Sequence, residues 1–304
     1  RGTSAQHTGI FWNGFQLNQL NVGMIDLSLI PVNGFDAVDV IPGGGASLFG
    51  SGNIGGSIHL LSKPRFNKKN KIELLAGAGS FEACDAAGGL TMSGKKWYSI
   101  TRFNYSQAQN DFEFENFRGE TEKQENNAFT RYGLMQDLHR KFKRSKLGAS
   151  FWFQQMDREI PSSIYASPKN TDQYDRSVRG MIEYELSFNN KGDHFEIRSG
   201  YFDDDFRFNE KNISGDDLIN TKMKTRRSQT EVSTRMIRNN NTFKVGLTGI
   251  GEFGESESWD GEVSRLRGSV YLLYILEIPA LKWRLSANLR QEVADGYRVP
   301  FTPS

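Results

Sequence analysis

The residues with the most direct chemical suggestion are Gly50, Gly52 and Gly55, which read G-x-G-x-x-G within Gly50-Ser51-Gly52-Asn53-Ile54-Gly55. That pattern holds a dinucleotide pyrophosphate when it follows a strand and opens a helix, whose first amides face the phosphates. Here the sequel Gly56-Ser57-Ile58-His59-Leu60-Leu61 begins with glycine and alternates like a strand, and no Gly-Lys-Ser/Thr occurs. Nucleotide binding is rejected on that context.

Carboxylates are the second candidates. Asp203-Asp204-Asp205 and Asp216-Asp217 fall in one stretch read as a long loop, and Asp157, Asp172 and Asp175 lie in or beside another. Clustered carboxylates suit calcium, but the spacing is not that of an EF-hand, and a solvated loop is the plainer reading. The four histidines, His7, His59, His139 and His194, are scattered. His59 alternates with Ser57 and Leu61 and reads as a packed or hydrogen-bonded residue. Cys84 is the single cysteine, which excludes an intrachain disulfide and a CxxC-type zinc site. Its Gly/Ala-rich strand suggests a buried, inert thiol. The basic runs Lys68–Lys71 and Arg140–Lys146 fall at a linker and a short turn. They read as a solvated or headgroup-facing edge, not a nucleic-acid site. No spacing suggests a nucleophile and its base, so no enzyme is expected.

The elements around these residues point to β structure. The chain has 304 residues, 37% hydrophobic and 12% aromatic, and a mean hydropathy of −0.57. No stretch approaches the roughly 18 apolar residues of a spanning helix. Transmembrane β-barrels escape that test, because only alternate residues face lipid. Net charge is +2 from 38 basic and 36 acidic residues, too even to attract nucleic acid. The opening residues carry no charged segment followed by an apolar run, so no signal peptide is expected there and the chain is expected to open inside a fold.

Thr8–Trp12 and Phe15–Leu17 are β-prone runs joined by Asn13-Gly14, the dipeptide a type I′ hairpin turn favours. Asn18–Met24 reads as an irregular loop, Asp26–Pro31 as a short helical turn, and Ala37–Ile41 and Ser57–Ser62 as strands. Between the two strands, seven of the fourteen residues from Gly43 to Gly56 are glycine. A unit of about sixty residues with so few large apolar side chains buries too little to stand alone. Pro64–Asn70 is a polar, basic linker. Beyond it, period-2 alternation recurs: Ile72, Leu74, Ala76 and Ala78; Leu147, Ala149, Phe151 and Phe153; Val178, Gly180, Ile182, Tyr184 and Leu186; Phe243, Val245 and Leu247; Trp283, Leu285, Ala287 and Leu289.

Short turns (Ser93–Lys96, Phe142–Arg144, Asn189–Asp193, Asn239–Asn241, Pro279-Ala280) alternate with longer polar loops (Asn110–Asn126, Asp157–Asp172, Asp203–Thr221, Gly254–Gly261). The long-side connection near Gly79–Phe81 is the short exception. Roughly eleven strands of about ten residues, with loop length sorted by end, describe an outer-membrane barrel better than a soluble sandwich.

Four blocks then resemble the plug domain of TonB-dependent outer-membrane receptors: Arg1-Gly2-Thr3; Phe11-Trp12-Asn13-Gly14-Phe15-Gln16-Leu17-Asn18; Asp26-Leu27-Ser28-Leu29-Ile30-Pro31; and Ala46 through Ile58. The resemblance covers about a fifth of the chain. It implies a mainly β fold, with residues 1–64 the C-terminal part of a plug and 65–304 the N-terminal half of a 22-stranded antiparallel transmembrane β-barrel. The TonB-binding segment, the start of the plug and the closing half of the barrel are expected outside this slice. Arg1-Gly2-Thr3, His7 and the Asn18-to-Asp26 spacing look most like cobalamin receptors. In those the loop matching Asn18, Gln19, Leu20, Asn21, Val22, Gly23 and Met24 sits at the plug apex and touches the ligand.

The implied function is TonB-driven import of a scarce large solute across the bacterial outer membrane, cobalamin first and a ferric siderophore or haem second. A structural or adhesive barrel is the alternative outside transport. The implied partners are TonB with its inner-membrane complex, outer-membrane lipid and a surface lipoprotein. No cofactor is expected beyond calcium in the acidic loops. Two departures stand out: Ile41-Pro42-Gly43 replaces the family's Arg-Gly-Pro, and Asn13-Gly14 its Asp-Gly. The missing arginine removes an expected charge contact between plug and wall.

Overall fold

The computed structural model describes residues 4–20, 23–43, 50, 53–116, 118–163, 169–189, 192–257, 259, 261–300 and 302–303. The first strands are β1 (Thr8–Trp12), β2 (Phe15–Gln16), β3 (Ala37–Pro42) and β4 (Gly56–Leu61). They form a four-stranded sheet in the order β2-β1-β4-β3. The β1–β2 hairpin turns through Asn13 and Gly14, at φ of 45° and 90°. Two successive positive φ angles are the requirement that the Asn-Gly pair satisfies cheaply. Strand β4 returns parallel to β1, pairing Thr8 with Gly56 and Trp12 with Leu60. The expected helical turn is a short 3-10 turn, Leu27–Leu29, begun by the Asp26 carboxylate accepting the Ser28 amide at 2.9 Å.

Residues after 70 build the wall. Its strands are β5 (Lys71–Ala78), β6 (Cys84–Ser93), β7 (Trp97–Ala108), β10 (Phe129–Lys141), β11 (Ser145–Glu159) and β12 (Lys169–Ser187). They continue as β13 (His194–Asn212), β14 (Asp217–Arg238), β15 (Asn241–Ser256), β16 (Glu262–Ile278) and β17 (Trp283–Ala294). A small hairpin, β8 (Glu113–Glu115) with β9 (Thr121–Lys123), fills the connection from β7 to β10. The short β18 (Tyr297–Arg298) and β19 (Thr302–Pro303) pair with β17. Every wall neighbour is antiparallel, and the order is sequential apart from that hairpin and the pairing of β19 with β17; among the described residues the sheet is open between β5 and β18.

Alternation decides the faces. Leu147, Phe151, Ile182, Leu247 and Leu285 are exposed on the outside, while Ser150, Gln154, Ser177, Gln229 and Asn288 are buried on the inside. Apolar outside and polar inside is the inversion expected of a wall facing lipid. No helix among the described residues is long and apolar enough to cross a membrane. Strands β12, β13 and β14 contain 19, 19 and 22 residues. A tilted strand needs about 9–11 to cross, so these three rise well beyond the bilayer.

The plug's core is not its own. Ile10, Trp12, Phe15, Leu17, Ile25 and Leu60 join Met135, Trp152, Met181 and Phe202 of the wall in one buried cluster. Each half leaves apolar surface that only the other covers, which is how a unit too small to fold alone acquires a core. At Gly200 of β13 a Cβ would lie 2.9 Å from the Phe202 ring and 3.3 Å from Phe15, so glycine there lets the Phe15 ring reach the wall backbone.

Two expectations need correction. Asp203, Asp204 and Asp205 are in β13, which runs to Asn212, so the expected 203–221 loop shrinks to residues 213–216. Strand structure survives three acids because each finds a partner: Arg226 of the next strand for Asp203, Arg179 with Ser177 of the preceding strand for Asp204, and Arg207 two residues along the same strand for Asp205. Cys84 is exposed, not buried. It opens β6 on the side of Gly88 and Leu90, the outward face, where no plug covers it.

Candidate functional site

The side chains gather where the plug's loops meet the inner wall. Asn18 anchors the loop that follows it. Its side-chain oxygen accepts the Ile10 amide at 2.9 Å, and its amide nitrogen donates to Thr8 O at 3.0 Å and Gly23 O at 2.9 Å. The Gln19 amide donates to Met24 O at 3.1 Å, and Gly23, at φ 70°, donates back to Gln19 O at 3.0 Å. The loop base is therefore closed on itself. Leu20 is half-buried, and Gly23 and Met24 are exposed. Asn21 and Val22, expected in the same loop, lie outside the described residues.

Leu20 faces a recess of about 350 Å³ in the lumen rim, lined by Glu252, Gly254, Trp259, Val263 and Arg265. Residues 252–265 straddle the β15–β16 connection, at the end that faces the cell exterior in barrels of this kind. Trp259 folds back over Gly254, where a Cβ would come within 2.7 Å of its ring. Arg265 is held by Glu252 at 2.6 Å, and the same carboxylate takes Arg267 at 2.6 Å. The recess thus combines an aliphatic tip, a flat aromatic face and an oriented guanidinium. The resemblance to cobalamin receptors implies a ligand contact for Leu20, but no pattern in the sequence joins Leu20 to Trp259, some 240 positions away.

The plug is gripped by arginines from the wall. Arg102 of β7 binds Asp36 at 2.7 Å, with Asp137 at 3.5 Å behind it. Arg158 of β11 binds Asp26 at 3.0 Å. Arg131 of β10 donates to the Ser28 carbonyl. Arg198 of β13 donates to the Asn13 carbonyl at 3.0 Å while Glu231 holds its other nitrogen at 2.9 Å. Arg227 of β14 reaches the carbonyls of Gln16 and Asn18. Hydrogen bonds from a charged donor are roughly twice as strong as neutral ones. The charge contact expected to be lost with the plug arginine is therefore replaced in the opposite sense, with cations on the wall and oxygens on the plug. A hint was available in the sequence: Arg102, Arg158 and Arg227 all fall on the inward parity of their strands.

Two plug groups titrate away from their ordinary values. Burial alone would raise the Asp26 carboxyl, but hydrogen bonds from Ser28 and the Arg158 guanidinium outweigh it and hold the carboxyl low. His59, hydrogen-bonded to Ser57 Oγ at 2.9 Å and stacked on Phe11 at 4.9 Å, is held below its ordinary value by burial, with the Asp39 charge opposing. It is a packed residue, as its strand position suggests. Among the described residues no three His, Cys, Asp or Glu side chains converge as metal ligands.

Comparison with known proteins agrees with this architecture. Residues 1–57 match the TonB-dependent Receptor Plug Domain family. The vitamin B12 transporter BtuB of Vibrio vulnificus (strain YJ016) is 35% identical over 80 residues, 26% of this chain and 13% of that protein. The siderophore receptor PirA from Acinetobacter baumannii superposes with a TM-score of 0.75 at 13% identity, over 100% of this chain and 51% of the receptor. The copper transporter OprC gives 0.74 at 14% identity, over 95% and 47%. The chain thus spans about half the length of these solved receptors. Residues 1–57 thus carry the TonB-dependent receptor plug domain, and the whole chain shares the plug-and-barrel-wall fold of these solved outer-membrane receptors.

Proposed function

We propose that the protein captures cobalamin at the cell surface and, driven by TonB, imports it through its barrel. The likeness of 80 residues to the vitamin B12 transporter of Vibrio vulnificus carries the choice of ligand. The recess supports it in kind: Leu20 and Trp259 offer apolar contact to a broad solute, and Arg265 a directed donor. Leu20, Gly23 and Met24 make the apex contact, with Asn21 and Val22 of the same loop, while Asn18 and Gln19 hold the loop base. Import requires the plug to move, and the five wall arginines are among the contacts that a pull from the periplasm must break. An anionic iron chelate is the second reading, favoured by the guanidinium at the recess.

The test is equilibrium titration of the intact receptor with cyanocobalamin. Saturable binding at or below micromolar levels is expected, and Leu20→Asp should weaken it at least tenfold, since burying an unpaired carboxylate against Trp259 is costly. Absence of binding at micromolar concentration rejects cobalamin. Ferric-chelate titration of the same protein then decides the second reading.

A further inference from the structure

The basic residues are distributed unevenly, and the unevenness has a place. Three segments, 63–71, 93–97 and 139–146, carry five, two and five Lys or Arg and no Asp or Glu. They are the linker and the short turns at one end of β5 to β11, the periplasmic end in an outer-membrane barrel. Backbone contacts hold them side by side. Asn67 donates to Gly94 O at 2.9 Å, Ser93 Oγ to Arg65 O at 2.8 Å, and Lys141 to Lys96 O at 2.8 Å. All twelve cations are exposed. Lys71 pairs with Glu73 and Lys146 with Glu185; the other ten have no carboxylate partner among the described residues. At the opposite end the connection 109–128 carries six acids and two bases.

The cations begin where the lipid-facing surface ends. Arg140 stands between Trp97 and Leu147 in the strand register, and both neighbours are exposed on the outer face. Phe142, in the adjoining turn, is also exposed. Aromatic side chains of this kind mark the boundary between hydrocarbon and headgroups, and long basic side chains there place their charges among the headgroups. A surface built to meet a soluble protein has no need of that apolar border.

We propose that this rim is a docking strip for anionic phospholipid headgroups of the periplasmic leaflet. Phosphodiester groups meet the unpaired ammonium and guanidinium groups of Lys95, Lys96, Arg140, Lys143 and Arg144, while the acyl chains lie along Trp97 and Leu147; Arg65, Lys68 and Lys69 line the lumen side with Asp36 and Arg102. The strip fixes the height and tilt of the β5–β11 side of the barrel beneath the plug. It is independent of which solute is carried.

The experiment titrates the intact receptor in detergent with phosphatidylglycerol, cardiolipin and phosphatidylethanolamine, counting bound lipid by native mass spectrometry. Each basic side chain near an anionic surface is worth about 1 kcal/mol, or about fivefold in binding. The wild type should retain the two anionic lipids at least tenfold better than phosphatidylethanolamine, less so as salt rises. Variants K95Q/K96Q and R140Q/K143Q/R144Q should each lose at least fivefold of that preference. K222Q/K224Q, near the far end of the wall, should keep it. Heat-modifiable gel mobility verifies that each variant retains its barrel. Equal retention of all three lipids by the wild type overturns the proposal, as does equal loss in the far-end variant. Full lipid preference in the rim variants with weakened binding of the periplasmic domain of TonB overturns it too, and assigns the strip to a protein.

Discussion

Trp152→Ala should loosen the plug while leaving the wall intact. The Trp152 ring is fully buried and meets Trp12 edge-on at 5.6 Å and Phe35 at 5.4 Å, with the Arg179 guanidinium 4.4 Å from its centroid. Edge-to-face pairs contribute about 0.5–1.5 kcal/mol each, and a desolvated cation–π contact about 2 kcal/mol. Truncating a buried tryptophan costs about 3–5 kcal/mol in all. Arg179 would keep Asp204 and Ser177, so no buried charge is stranded, and the lower part of that range applies. The backbone at 152 would keep its pairing to Met135 and Arg179, so the loss falls on plug docking. A cost of about 3–4 kcal/mol raises the undocked population by about 10²- to 10³-fold. Hydrogen exchange reads this directly, as faster exchange at plug amides of β1 and β4 with β10 and β11 unchanged. Trp152→Phe should recover most of the protection. Unchanged plug exchange in Trp152→Ala, or equal loss of protection in β11, would refute the shared-core argument.

Arg102→Met should be costly, because it leaves the carboxylates of Asp36 and buried Asp137 without their cation; about 3–5 kcal/mol is expected. The pair Arg102→Met with Asp36→Asn should recover part of it, measured as resistance of the plug to limited proteolysis; strict additivity would show that the pair does not interact. Plug stability should also fall in mild acid. His59 is held neutral by burial, so its stability contribution is complete above the unfolded value near 6.5. It is lost as pH falls through the lower folded value, since the unfolded chain then binds the extra proton. Exchange at β4 amides measured from pH 7 down to 5 should accelerate beyond the intrinsic rate, and His59→Gln should flatten the response; identical profiles would exclude His59 as the cause.

Much of the fold was legible from local chemistry. The Asn13-Gly14 turn, the bounds of β1 and the turn at 142–144 follow from positive-φ preference and period-2 alternation, properties of a few neighbouring residues. The same reasoning shortened β13, because three consecutive aspartates look like a loop until Arg226, Arg179 and Arg207 are seen beside them. A Gly/Ala-rich strand suggests close packing around Cys84, but the packed side of β6 faces inward and Cys84 does not.

The amino-acid sequence by itself determined a lipid-facing antiparallel wall preceded by a small mixed β unit, since alternation, loop length and hairpin chemistry are local; that the small unit is a plug is what its resemblance to TonB-dependent receptors implies. Tertiary structure alone decided which groups meet. Strand parity sends Arg198 and Arg227 inward, but their partners at Asn13 and Gln16 lie 185 and 211 residues away. No local preference encodes such a pair. It exists because the register of the wall strands from β5 onward and the docking of Phe15 against Phe202 bring those carbonyls under those guanidinium groups.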